Sequence, residues 1–329
     1  MGEMIDNIGS AFSATFLGLE SRLALVYLIT TVVLAYAIWI WRAKPQPFLR
    51  WLMPSAVYKH RSNIVDLQLF GLNFLLNVVG FFALLTFTPL VTIVVLEQLL
   101  GLTNTEYTPI DSTFWRTFVT TVLIILTLDF CKYWTHYFHH ESPTLWPFHA
   151  VHHSAEVLTP VTVSRVHPIY KVTQNIILAI GVGIVQAIIL FAVMGKVDVI
   201  AIGSANVGYV LFNLFGANLR HTHIWLSYGR VLEHVFISPA QHQIHHSSAV
   251  EHHNKNYGEV FAFWDWMFGT LYVPEKEEVL QFGIADGQGN LIEQPHPTLR
   301  AAIIQPFRDS WQSLRKPTET KPSEHIKQQ

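Results

Sequence analysis

The sequence predicts an all-α, multi-spanning transmembrane protein with a histidine-rich helical cap on its cytoplasmic side. Three observations predict it: a shortage of charge, several long apolar runs, and histidines gathered into dense clusters. Charged residues are 13% of the 329 and apolar residues 50%, where a soluble domain carries roughly 25% charge. The formal net charge of -2 argues against a broad basic surface for nucleic acid. The single cysteine, Cys131, can form no internal disulfide and belongs to no C-x-x-C pair. It reads as a small buried apolar residue.

A bilayer core of about 30 Å takes roughly 20 apolar residues as helix. The candidate spans are residues 23–41, 67–100, 118–130, and the pair 172–193 and 197–214. The first run starts late, follows an acidic N-terminus and lacks a small-residue cleavage site, so it does not read as a signal peptide. The loop after it carries Arg42, Lys44, Arg50, Lys59 and Arg61, which places that loop in the cytoplasm. The N-terminus with Glu3 and Asp6, and residues 103–112 with Glu106 and Asp111, are then expected outside. Residues 67–100 carry one charge, Glu97, and must cross an odd number of times. They are too long for one straight span at 1.5 Å per residue. Pro89 is expected to break them into a crossing helix and a re-entrant or interfacial piece.

The following span carries Asp129 and delivers His136 to the cytoplasmic side. Residues 172–214 then form a hairpin around Gly195-Lys196, so both histidine clusters end on one face. Trp39, Trp41 and Trp51 fit an interfacial aromatic belt. The tail 316–329 is polar and reads as disordered. The chain thus divides into N-terminal transmembrane helices (1–115), a histidine-bearing domain with a transmembrane hairpin (116–275) and a polar, partly disordered C-terminal extension (276–329).

Six of the 18 histidines fall between His136 and His153, and five between His242 and His253. The first motif, His136-x-x-x-His140, follows an apolar span directly, and residues four apart share a helix face. The second is His149-x-x-His152-His153, on a helix expected to begin near Pro147. The third is His242-x-x-His245-His246. Imidazole suits zinc, copper, iron and nickel. Eight histidines exceed what one ion uses, so two ions are expected. Neutral nitrogen ligands open to oxygen fit redox chemistry better than hydrolysis. The carboxylate-rich di-iron pattern of paired Glu-x-x-His motifs is absent; the single copy, Glu293-x-x-His296, contains Pro295.

These motifs resemble the sterol desaturase and fatty acid hydroxylase superfamily of membrane non-haem iron enzymes. The runs that carry the resemblance are Asp129-Phe-Cys-Lys-Tyr-Trp-Thr-His136-Tyr-Phe-His139-His140 and Leu145-Trp-Pro-Phe-His149-Ala-Val-His152-His153-Ser154. They continue through Arg165-Val-His167-Pro168, Ser238-Pro-Ala-Gln-His242-Gln-Ile-His245-His246-Ser247 and Asn256-Tyr257-Gly258 to Trp264-Asp265-Trp266-Met-Phe-Gly269-Thr270. The similarity spans about 123–272 and says little of residues 1–110. It implies His221 as a ninth ligand, with His223 beside the site rather than on the metal. The closing run and His221-Thr222 are also similar to the alkylglycerol monooxygenase branch, which keeps an ether lipid and a pterin reductant open.

Beside the ligands, Asp129 is expected to accept the second N–H of a ligand histidine; an ion pair with Lys132 or Arg165 is its alternative. Asp265 either does similar work or caps a turn. Arg165 and His167 are expected to order the rim, and Tyr257 with Gly258 to close the site. His139 reads as adjacent to the site or surface, and His252 and His253 as solvated loop histidines.

The expected activity is oxygen-dependent hydroxylation or desaturation of a lipid drawn from the bilayer: a sterol, fatty acyl chain, carotenoid or ether lipid. The resemblance implies two iron ions. The chain has no cysteine set for an iron–sulfur cluster and no G-x-G-x-x-G fingerprint, so electrons come from outside. Cytochrome b5, a ferredoxin with its reductase, or tetrahydropterin are the candidate donors. A bacterial inner membrane and the endoplasmic reticulum both suit such a protein. A histidine-rich metal transporter is the alternative, but it would place ligands within the spans, and most histidines here lie just outside them. A bis-histidine haem carrier would need isolated pairs rather than dense boxes.

Overall fold

The computed structural model describes residues 2–19, 21–102, 113–194 and 199–315. Among them the regular structure is helical, with no strands and a few isolated β-bridges. In chain order the α-helices are α1 (Gly2–Phe16), α2 (Leu25–Trp41), α3 (Phe48–Leu52), α4 (Ser55–Tyr58), α5 (Ser62–Val78), α6 (Thr88–Leu102) and α7 (Thr113–Glu141). They continue as α8 (Trp146–His153), α9 (Pro168–Ile189), α10 (Val199–Leu214), α11 (Pro239–His245), α12 (Phe263–Phe268) and α13 (Leu299–Arg315).

Among the described residues, three helices are long and apolar enough to cross a membrane: Ala83–Leu102, Phe114–Glu141 and Pro168–Ala192. The protein is an integral membrane protein built on them. Helices α6, α7 and α10 pack around α9 or each other as one bundle. Just before α6, Phe82 lies under Lys171 of α9, and Thr92 bonds to Gly183 and Gln186 of α9. Helices α6 and α9 therefore run side by side away from the cap. Helix α7 returns towards it, packing Ile124 against Ile189 and His139 against Tyr170. Its last two turns rise into the cap and carry the first histidine motif.

The break in residues 67–100 lies before the proline rather than at it. Helix α5 ends at Val78, and just past it Gly80 has a φ of +73°, the left-handed conformation that suits glycine. Phe81 N donates to Leu76 O and Gly80 N to Asn77 O, both at 2.9 Å, which closes the helix end. Pro89 sits in the first turn of α6, where its missing N–H costs nothing. Helix α5, at 17 residues, is not among the described helices long and apolar enough to cross a membrane. It buries Ser62, Asp66 and Asn73 and packs on α1, on residues 160–164 and on α13.

The first expected span also differs. Helix α2 is 17 residues long, and both its flanks are tied to the cap. Arg22 pairs with Glu259 at 3.1 Å, and Arg42 pairs with Glu277 at 2.7 Å. It packs Ala35 and Ile38 against Leu219 and Ile224. Trp51 is buried in that same cluster instead of lying in an aromatic belt. Helix α13 falls in the expected polar extension yet packs Ala302 against Val65, Leu69 and Val151. Residues 103–112, the Gly195-Lys196 turn and the tail 316–329, for which an external loop, a hairpin and disorder were expected, lie outside the described residues.

Two glycines of α5's region should respond oppositely to alanine. Gly80→Ala should lower stability by about 1 kcal/mol, because its Cβ meets nothing and the cost is conformational alone. Gly71→Ala, inside α5 with equally open space, should raise stability by about 0.5–1 kcal/mol. Thermal unfolding in detergent checks both signs.

Candidate metal centre

Local sequence explains how each helix presents its histidines. Helix α8 starts with Pro147 in its first turn, and α11 starts with Pro239 after a Ser238–Gln241 capping box. Both are short, and both bury nearly every residue.

The nine expected ligands fall into two groups. One holds His136, His140, His149, His153 and His245; the other holds His152, His221, His242 and His246. Within each group the available ligand atoms lie within 4.8 Å of one another. The i, i+4 pairs 136/140, 149/153 and 242/246 each stay together, as one helix face requires. The intervening i+3 histidines, His152 and His245, turn to the other group. Each of α8 and α11 therefore serves both groups.

Backbone carbonyls fix the rings. His136 Nδ1 lies 2.8 Å from Tyr257 O, His245 Nδ1 2.7 Å from Lys255 O, and His152 Nδ1 3.3 Å from Arg165 O. A carbonyl only accepts, so each Nδ1 carries the proton and each Nε2 a lone pair. The Nε2 atoms of His136, His140 and His245 are buried and have no hydrogen-bond partner. In the second group His221 Nε2 approaches the Nε2 atoms of His152, His246 and His242 at 3.3, 3.2 and 3.1 Å. Converging buried nitrogens of this kind suit a cation among them. Burial first, then the neighbouring imidazoles, hold His149, His153, His221, His242, His245 and His246 well below the ordinary histidine range. His152 is lowered to about 3, again chiefly by burial. The rings are therefore neutral at pH 7, the state that metal ligation needs. The donor set fits transition-metal ions.

The carboxylates act at one remove. Asp129 meets no histidine. It accepts from the Val260 and Phe261 amides at 2.9 and 3.0 Å and from Trp264 Nε1 at 3.1 Å. These buried donors need an acceptor, and that requirement claims the carboxylate instead. Asp265 accepts from the Tyr257 and Gly258 amides at 2.7 and 2.8 Å and from Thr270 Oγ1 at 2.6 Å. It thus fixes the peptide whose carbonyl orients His136. A Cβ on Gly258 would come within 2.5 Å of Phe261 O, so only glycine fits that approach. The Tyr257 ring packs against His136, His140 and His245, and its hydroxyl donates to Glu141.

Arg165 is fully buried, pairing with Asp66 of α5 at 2.9 Å while donating to Val151 O and Ser154 Oγ at the end of α8. Burial pushes the Asp66 carboxyl above its ordinary range, and Arg165 and Thr162 pull against it. Asp66 is a residue that sequence reasoning missed: it stands one position before an apolar run and belongs to no motif. His167 caps α9, accepting from Ile169 N and donating to Ile303 O of α13, outside both groups. His223 also lies outside them; its Nε2 donates to Trp51 O at 2.8 Å and so anchors α3.

His139 is fully buried between Tyr170 and His149, with Nδ1 donating to Thr135 O. His252 is buried 3.0 Å from Glu278 rather than solvated, and His253 is partly buried. His296 is buried against Ser154 Oγ.

A cavity of about 520 Å³ lies under the centre, and His136, His149, His152, His221 and His242 reach into its wall. The same wall holds Arg22, Lys132, Lys171 and Glu259. Burial raises the Glu259 carboxyl, but the Lys132 ammonium at 3.2 Å and Arg22 outweigh it and hold it well below the usual carboxylate range. A second cavity of about 250 Å³ reaches His140, His153 and His245 from the other side.

Residues 121–270 match the fatty acid hydroxylase family. An ornithine lipid hydroxylase of Rhizobium tropici is 29% identical over 163 residues, which are 50% of this chain and 45% of that protein. An alkylglycerol monooxygenase of Danio rerio is 31% identical over 169 residues, 50% of this chain and 33% of that protein. A Delta(7)-sterol 5(6)-desaturase of Gibberella zeae is 28% identical over 162 residues, 49% and 40% of the two chains. The matched stretches thus span less than half the length of these relatives. No solved structure matches.

Asp66→Asn should leave the Arg165 charge buried without a counter-charge and cost about 3–5 kcal/mol. Glu277→Gln, in a half-exposed pair, should cost less than about 1 kcal/mol. Equal losses in chemical unfolding would show that the buried pair does not hold the cap.

Proposed function

We propose that the chain, whose residues 121–270 match the fatty acid hydroxylase family, is an oxygen-dependent oxidoreductase that hydroxylates or desaturates a membrane lipid at two iron ions. One observation carries this reading: nine neutral imidazoles, nearly all buried, divided into two groups, with the outer nitrogens of His136, His152 and His245 held by carbonyls. The ions, when bound, would supply oxygen activation and removal of hydrogen from an unactivated C–H bond.

The five-histidine group and the four-histidine group would each hold one ion. Tyr257, Lys255 and Arg165 keep the ligand rings in one tautomer through their carbonyls. Asp129 and Asp265 hold the loop 256–265 that supplies one of those carbonyls. The larger cavity would receive the lipid between helices, limit water and present one carbon to the centre. Choice between alcohol and alkene rests on that positioning. A metal transporter fits less well, because the ligands sit together in the cap above the bundle and do not line a path along it.

Electrons would come from outside the chain, from cytochrome b5, a ferredoxin with its reductase, or tetrahydropterin. The smaller cavity at His140, His153 and His245 is the approach that leaves the lipid cavity free. The basic loop 42–61 on the cap side supports a cytoplasmic cap, in a bacterial inner membrane or the endoplasmic reticulum. Sterol, acyl-chain and ether-lipid substrates all fit this chemistry.

Detergent-purified protein should contain about two iron atoms per chain. His242→Ala with His246→Ala should leave about one, and so should His136→Ala with His140→Ala. Elemental analysis of folded samples decides it. Unchanged metal in either double variant would refute the assignment of that group.

A further inference from the structure

The wall of the larger cavity is charged, and a plain hydrocarbon substrate gives no reason for that. Glu259 is shared by two cations, Arg22 at 3.1 Å and Lys132 at 3.2 Å, so this triad carries one net positive charge. Tyr209 adds a hydrogen bond to the same carboxylate and no charge. Lys171 adds a second positive charge. Its ammonium lies 5.2 Å above the Phe82 ring. Among the described residues no carboxylate is within ion-pair reach of it. Lys171 stands near the start of a membrane-spanning helix, where an ionisable side chain is expensive and usually marks function. The neighbouring wall is polar too: Asn73 Oδ1 is buried without a partner, and Asn77 and Gln174 share the lining. Aliphatic carbon placed there would strip water from these groups and return nothing.

We propose that this cavity binds the polar head of an amphiphile that carries an anionic group, a carboxylate or a phosphate, and that Lys171 receives it. The inference rests on the lipid-oxidising reading and narrows its substrate. The same wall carries the histidines, so the oxidised carbon lies near the head of the lipid and not at a remote chain position. Phe70, Phe74 and Phe82 supply the apolar part of the wall for the first carbons of the tail. Lys171 is a specificity-determining residue here, outside the ligand set.

Titration calorimetry in a neutral maltoside detergent tests it with three amphiphiles of one chain length: octanoate, octyl phosphate and octanol. At least one anionic probe should bind about tenfold or more tightly than octanol, as a charge-assisted contact implies. The tighter of the two anions names the head. Lys171→Gln should remove that margin and Lys171→Arg should keep it. Equal affinity for all three probes in the unaltered protein overturns the proposal, even if Lys171→Gln fails to fold. A margin that survives in folded Lys171→Gln overturns the role of Lys171. Iron content measured on the same sample separates the two readings. Iron-loaded protein without the margin refutes the headgroup inference alone. The margin in protein that takes up no iron supports anion binding and refutes the oxidase reading.

Discussion

Everything in the cap depends on bringing nine imidazoles into one buried volume without a proton among their inward nitrogens. Each ring must be neutral, and its inward nitrogen must keep a lone pair. Burial accomplishes the first, because a charged imidazole away from water is disfavoured. Carbonyl acceptors accomplish the second for His136, His152 and His245. Those carbonyls belong to irregular backbone at Tyr257, Arg165 and Lys255, so the loops need as firm an anchor as the helices. Asp129 and Asp265 provide that anchor by accepting peptide N–H groups.

The ion pair between Asp66 and Arg165 extends the same constraint to the N-terminal third. It joins α5 to the end of α8, and Val65, Leu69, Val151 and Ala302 pack beside it. Helix α5 thus belongs to the cap although its sequence runs on into an apolar segment. Helix α2 is tied in the same way, because Arg22 and Arg42 bind acidic partners at both ends, while Ile29 and Val33 between them stay exposed. Apolarity says that a helix avoids water and does not say whether it meets lipid or protein.

That distinction sets what was legible in the sequence. The helical class, the apolar helices and eight of the nine histidines follow from periodicity and spacing, which are local, whereas His221 follows from the family resemblance alone. The division into five and four does not, because the turn of His152 and His245 towards the opposite groups depends on how α8 and α11 face each other. The partners of Asp129 were also out of reach, since the Val260 and Phe261 amides lie more than a hundred residues away. The glycine that ends α5 was legible in principle. Gly80 follows a helical pattern and precedes an aromatic pair, but Pro89 is the louder breaker and drew the boundary towards itself.

Keeping carboxylates off the histidines has an electrostatic consequence. Carboxylate-rich di-iron bundles neutralise their ions within the ligand set. A set made only of neutral imidazoles neutralises nothing, so divalent ions held there would project their charge into the cavity below. Metal charge of this kind dominates the local field. The cavity wall does not compensate for it: Glu259 is already claimed by Arg22 and Lys132, and Lys171 adds to the positive side. Ions and wall together favour an occupant that brings negative charge with it. On the proposed reading, the all-histidine centre and the cationic cavity are two parts of one electrostatic arrangement, in which the polar head of a lipid would supply the charge that the protein withholds.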